Sequence, residues 1–259
     1  MRRTLFVLLL IGGLCIAPAS VAAAASAHGV REHRCTSPNY KTSKLHGGKA
    51  YGKEEVLQDV WDALKIKQTL YACAGDSWYV KAVVGDKGGA VQSYPNVETN
   101  FKDPKVSSLR HLDSKFRVSD PPTGSGLDYE AAYDIWLGSA HTWYARTHTE
   151  MMIWPYSHRQ VPAGKLRGTV RLDGRTWKVW FAGKIGSANG DIVTYRAEKN
   201  YTRGTTDLFS FFRNAAKRGY LEAGTSTRLW QVDFGYELCG TPHSGSEFQV
   251  TAFSVKARS

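Results

Sequence analysis

The sequence predicts an all-β domain, and three observations support this prediction. Of the 259 residues, 42% are hydrophobic, which is enough for a core and excludes a disordered chain. The chain has 13 Tyr, 10 Phe and 8 Trp, which are residues that favour strands. Strand-like patterns continue from about residue 50 to the end, with one helical pattern among them. No repeat divides this region, so we expect a single domain over residues 50–259.

The N-terminus has the pattern of a secretory signal peptide. Arg2-Arg3 form a basic start, residues 5–16 are almost wholly apolar, and small residues end in Ala25-Ser26-Ala27. The apolar run is too short for a comfortable membrane span. We therefore predict a cleaved signal over residues 1–27, an N-terminal arm over residues 28–49, and a secreted, extracellular protein without a membrane anchor.

The distribution of charge and the spacing of the histidines do not indicate binding of nucleic acid or of a metal. The net charge is +11, but the Lys and Arg residues are scattered, whereas nucleic-acid binding needs a basic patch. A solvated basic surface is the simpler interpretation. The 8 His residues and the cysteines form no His-x-x-x-His or Cys-x-x-Cys pattern, so no metal and no cofactor is expected. We expect a monomer that binds neither nucleic acid nor a membrane.

Three cysteines remain after removal of the signal, and outside the cell two of them are expected to pair. A disulfide between Cys35 and Cys73 would attach the arm to the following strand. It would stabilise the fold by roughly 3–4 kcal/mol. Cys239 would then be unpaired.

The first local patterns are a strand and a long polar segment. Residues 78–84 are rich in aromatic and β-branched side chains, which predicts a strand. The segment from Phe101 to Gly126 is long and polar and contains Pro121-Pro122. It is too short to link two domains, so we expect a surface excursion.

Residues 170–181 predict a β-hairpin. Asp173-Gly174 suits the two positive-φ positions of a tight turn. Pairing across this turn places Val170 opposite Trp177 and Leu172 opposite Arg175, so the faces of the two strands stay in register.

One amphipathic helix is predicted. Its apolar stripe, at positions i, i+3, i+4 and i+7, consists of Leu208, Phe211, Phe212 and Ala215. Thr206 is the expected N-cap, and Gly219 is the expected end. A single helix among strands must bury such a stripe against a sheet.

Three predicted strands that are otherwise apolar and aromatic contain acidic residues. Strand alternation puts Asp134 on one face with Trp136. Glu150 shares its face with Met152 and Trp154. In the third strand, Trp230 begins an apolar face, while the other face consists of Gln231, Asp233, Gly235 and Glu237.

An ordinary antiparallel sheet with one solvated face would also explain these acids. The Trp and Met residues beside Asp134 and Glu150 argue against it. Two carboxyl groups that flank an aromatic groove are what cleavage of a glycosidic bond requires, because one protonates the leaving oxygen and the other stabilises the sugar cation. Aromatic rings suit pyranose faces, and Gln231 can bind hydroxyl groups.

These residues resemble glycoside hydrolase family 12, which contains secreted endo-β-1,4-glucanases and relatives with a β-jelly-roll sandwich fold. The similarity covers about residues 50–257. Residues 150–154, Glu-Met-Met-Ile-Trp, resemble the family strand Glu-x-Met-Ile-Trp. Residues 133–136 and 231–237 resemble the strands that carry the supporting Asp and the second Glu.

The resemblance implies two antiparallel sheets with a concave substrate cleft and one helix. It implies retaining hydrolysis of β-1,4-glucan, which could be cellulose, mixed-linkage β-glucan or xyloglucan. Glu150 would be the nucleophile, Glu237 the acid/base, and Asp134 the residue that supports the nucleophile. The implied substrate-binding residues are Asp59, Trp61, Trp136, Met152, Trp154 and Gln231.

One departure from the family concerns sugar binding. The family usually has Asn-Asn-x-Trp-Gly where this chain has Gln-Asp-Val-Trp-Asp over residues 58–62. Trp61 can still stack on a sugar, but Asp59 adds a charge and lacks the amide donor, which leaves the preferred glucan open. The alternative function is a non-catalytic sandwich that binds polysaccharide. The presence of both acids in matching motifs favours the enzyme.

Overall fold

The computed structural model describes residues 30–61, 66–139, 148–185, 190–221 and 227–258. The predicted signal peptide, residues 1–27, lies outside the described residues. Within the ranges above, no helix has both the length and the apolar character needed to cross a membrane.

Two sheets form a sandwich, which confirms the predicted fold class. The order of the first sheet is β1 (Tyr40–Thr42), β4 (Ile66–Ala74), β5 (Ser77–Val84), β15 (Ser246–Arg258), β7 (His111–Ser119) and β13 (Arg203–Asp207). The order of the second is β10 (Lys165–Leu172), β11 (Arg175–Ile185), β12 (Gly190–Ala197), β9 (His148–His158), β8 (Asp128–Gly138), β14 (Arg228–Gly240), β6 (Asn96–Asn100), β3 (Glu54–Leu57) and β2 (Gly48–Tyr51). The second sheet is mixed, because β12 runs parallel to β9.

The core lies between the sheets and contains many aromatic rings. Phe116 of β7 contacts Tyr133 of β8 and Phe234 of β14, with ring centroids 5.8 and 5.0 Å apart. Alternation then places Asp134 and Glu237 on the opposite face of the second sheet. The inward aromatic residues therefore orient both acids away from the core.

The helix α1 (Leu208–Lys217) buries the predicted stripe. Phe211 packs on Trp177 and Tyr195 of the second sheet, with ring centroids 4.9 and 5.1 Å away. The expected N-cap was wrong by one residue: the cap is Asp207, whose side chain accepts a hydrogen bond from the N–H of Phe209. Thr206 instead belongs to β13 and is buried.

The hairpin of residues 170–181 has the predicted register. Val170 pairs with Trp177, and Leu172 pairs with Arg175. Asp173 and Gly174 both have positive φ, at 48° and 72°. This turn confirms the Asp-Gly prediction.

The expectation of a surface excursion over residues 101–126 was wrong. This segment contains β7, which lies between β15 and β13, and a short 3-10 helix (Val106–Ser108). Leu112, Phe116 and Val118 are buried in the core. Asp113, Lys115 and Arg117 alternate with these buried residues and point outward, which contributes to the polar composition of the segment.

Trp230 does not continue the apolar face of β14. A register shift between Leu229 and Gln231 gives the inward position to Leu229. Trp230 packs instead near His148 of β9, with ring centroids 6.3 Å apart. A β-bulge reverses the side on which a residue lies, and simple alternation does not predict it.

The predicted disulfide between Cys35 and Cys73 is present. It closes a loop between the N-terminal arm and β4. The arm also forms an ion pair in which Arg117 of β7 lies 2.7 Å from Glu32. Cys239 is free and buried. These contacts hold the arm against the first sheet.

The close approach of β14 and β6 requires a glycine at position 235. A Cβ there would lie 2.1 Å from the carbonyl oxygen of Pro95 and 2.7 Å from the Cα of Asn96. We expect Gly235→Ala to lower the free energy of unfolding by about 1–3 kcal/mol, measured by urea denaturation.

Gly240→Ala is the matched control on the same strand. Its Cβ would meet its nearest neighbour, the Cβ of Asp128, at 3.6 Å, which is ordinary contact. The control should stay within about 0.5 kcal/mol of the wild type. Equal stability of the two variants would contradict the steric argument.

Candidate active site

A cavity of ≈ 360 Å³ lies on the concave face of the second sheet. Two of the predicted catalytic acids, Glu150 of β9 and Glu237 of β14, line it together. The full lining consists of Trp61, Gly89, Val91, Glu130, Glu150, Met152, Trp154, Gln160, Val161, Ala163, Ile192 and Glu237. The acids therefore face one space from strands on either side of β8.

The register of β8 with its two neighbours produces this arrangement. Asp134 pairs with Met152 of β9 on one side and with Asp233 of β14 on the other. On either side of Asp134 along β8, Trp136 pairs with Glu150 of β9 and Glu130 pairs with Glu237 of β14. Since all these side chains share the concave face, the sheet must curve for Glu150 and Glu237 to meet at one cavity.

The cavity perturbs both acids strongly. Loss of water around its carboxyl raises the pKa of Glu150 to about 8, and the charge of Glu237 contributes to the rise. Burial also raises the pKa of Glu237 well above its usual value, and a neighbouring carboxyl, Glu130, adds to this. Such shifts cluster at functional sites, because they adjust the ability of a group to hold or release a proton.

Asp134 is not among the residues that line the cavity. It is 6% exposed. Burial raises its pKa well above the usual value, and the charges of Glu150 and Glu237 raise it further. The structure therefore brings Asp134 within electrostatic range of both predicted catalytic acids.

Glu130 is a cavity residue that the sequence analysis did not select. It is 1% exposed and lies directly opposite Glu237 in the register of β8 and β14. Burial raises its pKa to about 7. Alternation along β8 could have found it, because residues 130 and 134 lie on one face.

The predicted aromatic sugar-binding residues differ in how exposed they are. Trp61 is 53% exposed at the edge of the cavity, where a sugar ring can reach it. The carboxyl of Asp59 lies 3.6 Å from Nδ1 of His46. Burial raises the pKa of this carboxyl, and interactions with Trp61 and His46 oppose the rise.

The other predicted substrate-binding residues lie deeper. Trp154 and Met152 line the cavity but are largely buried. Trp136 is half-buried and packs against His148 at 5.7 Å between ring centroids. Gln231 is 5% exposed, and its side chain opposes the rise in pKa that burial causes for the Glu98 and Asp233 carboxyls. Sugar contact by these four residues stays a prediction.

Gln160 closes one side of the cavity. Its amide donates to the carbonyl of Gly89 at 2.9 Å and to the Sγ of Cys239. Burial raises the pKa of the Cys239 thiol, with the nearby Glu130 and Glu237 contributing. The thiol is therefore held neutral and is a poor nucleophile. In the described part of the chain, no group of three or more His, Cys, Asp or Glu residues is arranged to hold a metal ion.

Comparison with known proteins identifies the family. The sequence model of "Glycosyl hydrolase family 12" matches residues 58–257, which includes every predicted catalytic residue. This chain belongs to glycosyl hydrolase family 12. It is therefore a glycoside hydrolase, as the resemblance implied.

Two curated relatives of this family 12 hydrolase come from Aspergillus species. A probable xyloglucan-specific endo-beta-1,4-glucanase A of Aspergillus clavatus is 31% identical over 194 residues, 71% of this chain and 74% of the relative. Endoglucanase A of Aspergillus kawachii is 27% identical over 169 residues, 63% of this chain and 69% of the relative.

Solved structures share the fold of this family 12 hydrolase. A metagenome-derived glycoside hydrolase family 12 endoglucanase is 26% identical, with a TM-score of 0.73 over 85% of this chain and 97% of the other. The family 12 xyloglucanase from Bacillus licheniformis is 20% identical, with a TM-score of 0.75 over 85% of this chain and 100% of the other. The jelly-roll sandwich is thus the common architecture.

Proposed function

We propose that this chain is a secreted, retaining endo-β-1,4-glucanase with Glu150 as nucleophile and Glu237 as acid/base. One observation carries the proposal: the two glutamates line a single cavity on the concave sheet, and an exposed Trp61 lies at its edge. Retaining glycosidases use two carboxyl groups in this way.

In the first step, Glu237 donates its proton to the glycosidic oxygen while ionised Glu150 attacks the anomeric carbon. The bond from that carbon to the leaving oxygen breaks, and a covalent glycosyl ester of Glu150 forms. The negative charge of Glu150 favours a protonated Glu237 before this step, because like charges in a low-dielectric site repel.

In the second step, Glu237 removes a proton from a water molecule that attacks the same carbon. The ester bond breaks, and Glu150 regains its charge. While Glu150 is esterified it carries no charge, so the pKa of Glu237 falls and ionised Glu237 can act as a base. Two displacements at one carbon retain the configuration.

Asp134 supports the nucleophile in this proposal. Burial and the charge of Glu150 raise the pKa of Asp134 well above its usual value, which favours its protonated form. A protonated Asp134 can donate a hydrogen bond to the Glu150 carboxylate. Such a bond favours the ionised form that the attack requires.

The proposed substrate is a β-1,4-glucan chain. The names of the Aspergillus relatives, an endoglucanase and a xyloglucan-specific endo-beta-1,4-glucanase, support this class. Trp61 offers a flat apolar surface for a pyranose ring. The disulfide between Cys35 and Cys73 is consistent with export of the chain through an oxidising compartment, and we propose that residues 1–27 direct that export.

A substrate panel tests the function against the alternative of binding alone. Reducing-sugar release from barley β-glucan, carboxymethyl cellulose and xyloglucan should be measured beside retention of the protein on insoluble cellulose. We expect release from at least one of the soluble glucans, and the newly formed ends should appear first as the β-anomer by NMR. Binding without release would support the non-catalytic alternative, and initial α-anomer would contradict retention.

A further inference from the structure

Glu130 and Glu237 form a pair of buried carboxyls at the cavity. They are directly opposite each other in the register of β8 and β14, on the same concave face. Their exposed fractions are 1% and 6%, and both line the cavity. Each carboxyl also affects the pKa of the other: Glu237 lowers the pKa of Glu130, and Glu130 raises the pKa of Glu237.

A hydrogen bond between two carboxyl groups requires a proton on one of them, because an ionised carboxylate can only accept. Two buried carboxylates that lie opposite each other in neighbouring strands would also repel strongly. The pair therefore holds one proton in its stable state. The question is which residue donates and which accepts.

The surrounding charges make Glu130 the acceptor. Arg196 of β12 favours the ionised form of Glu130, as does the interaction with Glu237, while Asp128 opposes it. Among the described residues, Glu130 of β8 is the charged group that affects the pKa of Glu237, and it raises this pKa. The charge of Glu237 in turn raises the pKa of Glu150 of β9, and burial raises the pKa of the nearby Cys239 thiol, which favours its neutral form. The proton accordingly remains on Glu237.

We propose that Glu130 is a positioning residue, which accepts a hydrogen bond from Glu237 and keeps the proton on the general acid until a glycosidic oxygen replaces Glu130 as its acceptor. This role rests on the proposed function of Glu237. It gives a role to Glu130, the third carboxyl that lines the cavity. The Oε2 atom of Glu130 is buried and has no hydrogen-bond partner among the described residues.

The test is the pH profile of kcat/KM on barley β-glucan for Glu130→Gln. The basic limb of the profile reports loss of the Glu237 proton in the free enzyme. Without the Glu130 charge, that proton is held less tightly, so we expect the basic limb to move to lower pH by about one unit. An unchanged basic limb, or one that moves to higher pH, would overturn the proposal.

Two further variants separate this role from a structural one. Glu247→Gln removes the same charge on the other sheet, where Glu247 pairs with Lys81 at 3.6 Å, and should leave the profile unchanged. Glu130→Asp keeps a carboxylate one bond further away and should move the limb less than the amide does. If Glu130→Asp moved the basic limb as far as Glu130→Gln does, the charge argument would be contradicted. Glu130→Asp also provides the test if Glu130→Gln fails to fold.

A second readout uses dinitrophenyl β-cellobioside, whose leaving group departs without a proton. The loss in kcat/KM caused by Glu130→Gln on β-glucan at high pH should be absent on this substrate. An equal loss on both substrates would indicate general damage and overturn the proposal. If wild-type and Glu237→Gln enzymes hydrolyse β-glucan equally, the assignment of Glu237 itself fails, which is a different outcome.

Discussion

Replacement of Glu150 by glutamine is expected to remove the hydrolysis of β-glucan almost completely. An amide of the same size cannot attack the anomeric carbon, so kcat/KM should fall by on the order of 10⁴-fold or more, as for other catalytic nucleophiles. The fold should persist, because Glu150→Gln removes a carboxyl whose ionisation the cavity opposes. Reducing-sugar release and a urea denaturation curve measure the two effects.

The identity of the nucleophile can be tested by chemical rescue. In Glu150→Ala with dinitrophenyl β-cellobioside, azide can enter the vacated space and attack the anomeric carbon as the phenolate leaves. We expect a glycosyl azide of inverted configuration, because only one displacement occurs. Glu247→Gln serves as the control and should retain wild-type turnover. Wild-type hydrolysis by Glu150→Gln would exclude Glu150 as the nucleophile.

Replacement of Glu237 by alanine should have an effect that depends on the leaving group. On β-glucan, the leaving oxygen needs a proton, and general acid catalysis typically contributes 10²–10⁴-fold, so we expect a loss of about that size. On dinitrophenyl β-cellobioside, the first step needs no proton, and the glycosyl ester of Glu150 should accumulate. A burst of dinitrophenolate, followed by slow turnover, is the expected observation.

Azide distinguishes Glu237 from Glu150. In Glu237→Ala, azide should attack the glycosyl ester, break its bond to Glu150 and release a glycosyl azide of retained configuration, since two displacements then occur. An inverted azide from this variant would assign Glu237 the role of nucleophile. Equal losses on both substrates, without a burst, would argue that Glu237 is not the acid.

The acids show how far a single sequence leads. Alternation places Asp134 and Glu150 beside aromatic residues, and the segments of Asp134, Glu150 and Glu237 resemble known strands. The cavity unites Glu150 and Glu237, and Asp134 lies within range of both. Glu130 had the same alternation signal as Asp134 but no motif, so the sequence offered no reason to choose it.

Two fold elements show where local reasoning failed. The β7 strand was assigned to the surface, because its outward polar residues outnumber the buried Leu112, Phe116 and Val118. Trp230 was assigned to the core, because a bulge beside it leaves no mark in the alternation. In both cases the decisive contacts join residues far apart in the chain.

The sequence by itself determined the β-rich class, the Asp173-Gly174 hairpin, the helix stripe and the two glutamates, because each depends on neighbours within a few positions. Only the tertiary structure decided which carboxyls line one cavity and which ring reaches solvent. Those properties depend on the curvature of the second sheet and on the register of β8 between β9 and β14. Burial and the distance between charges set the energies of ionisation, and both arise only when distant strands pair.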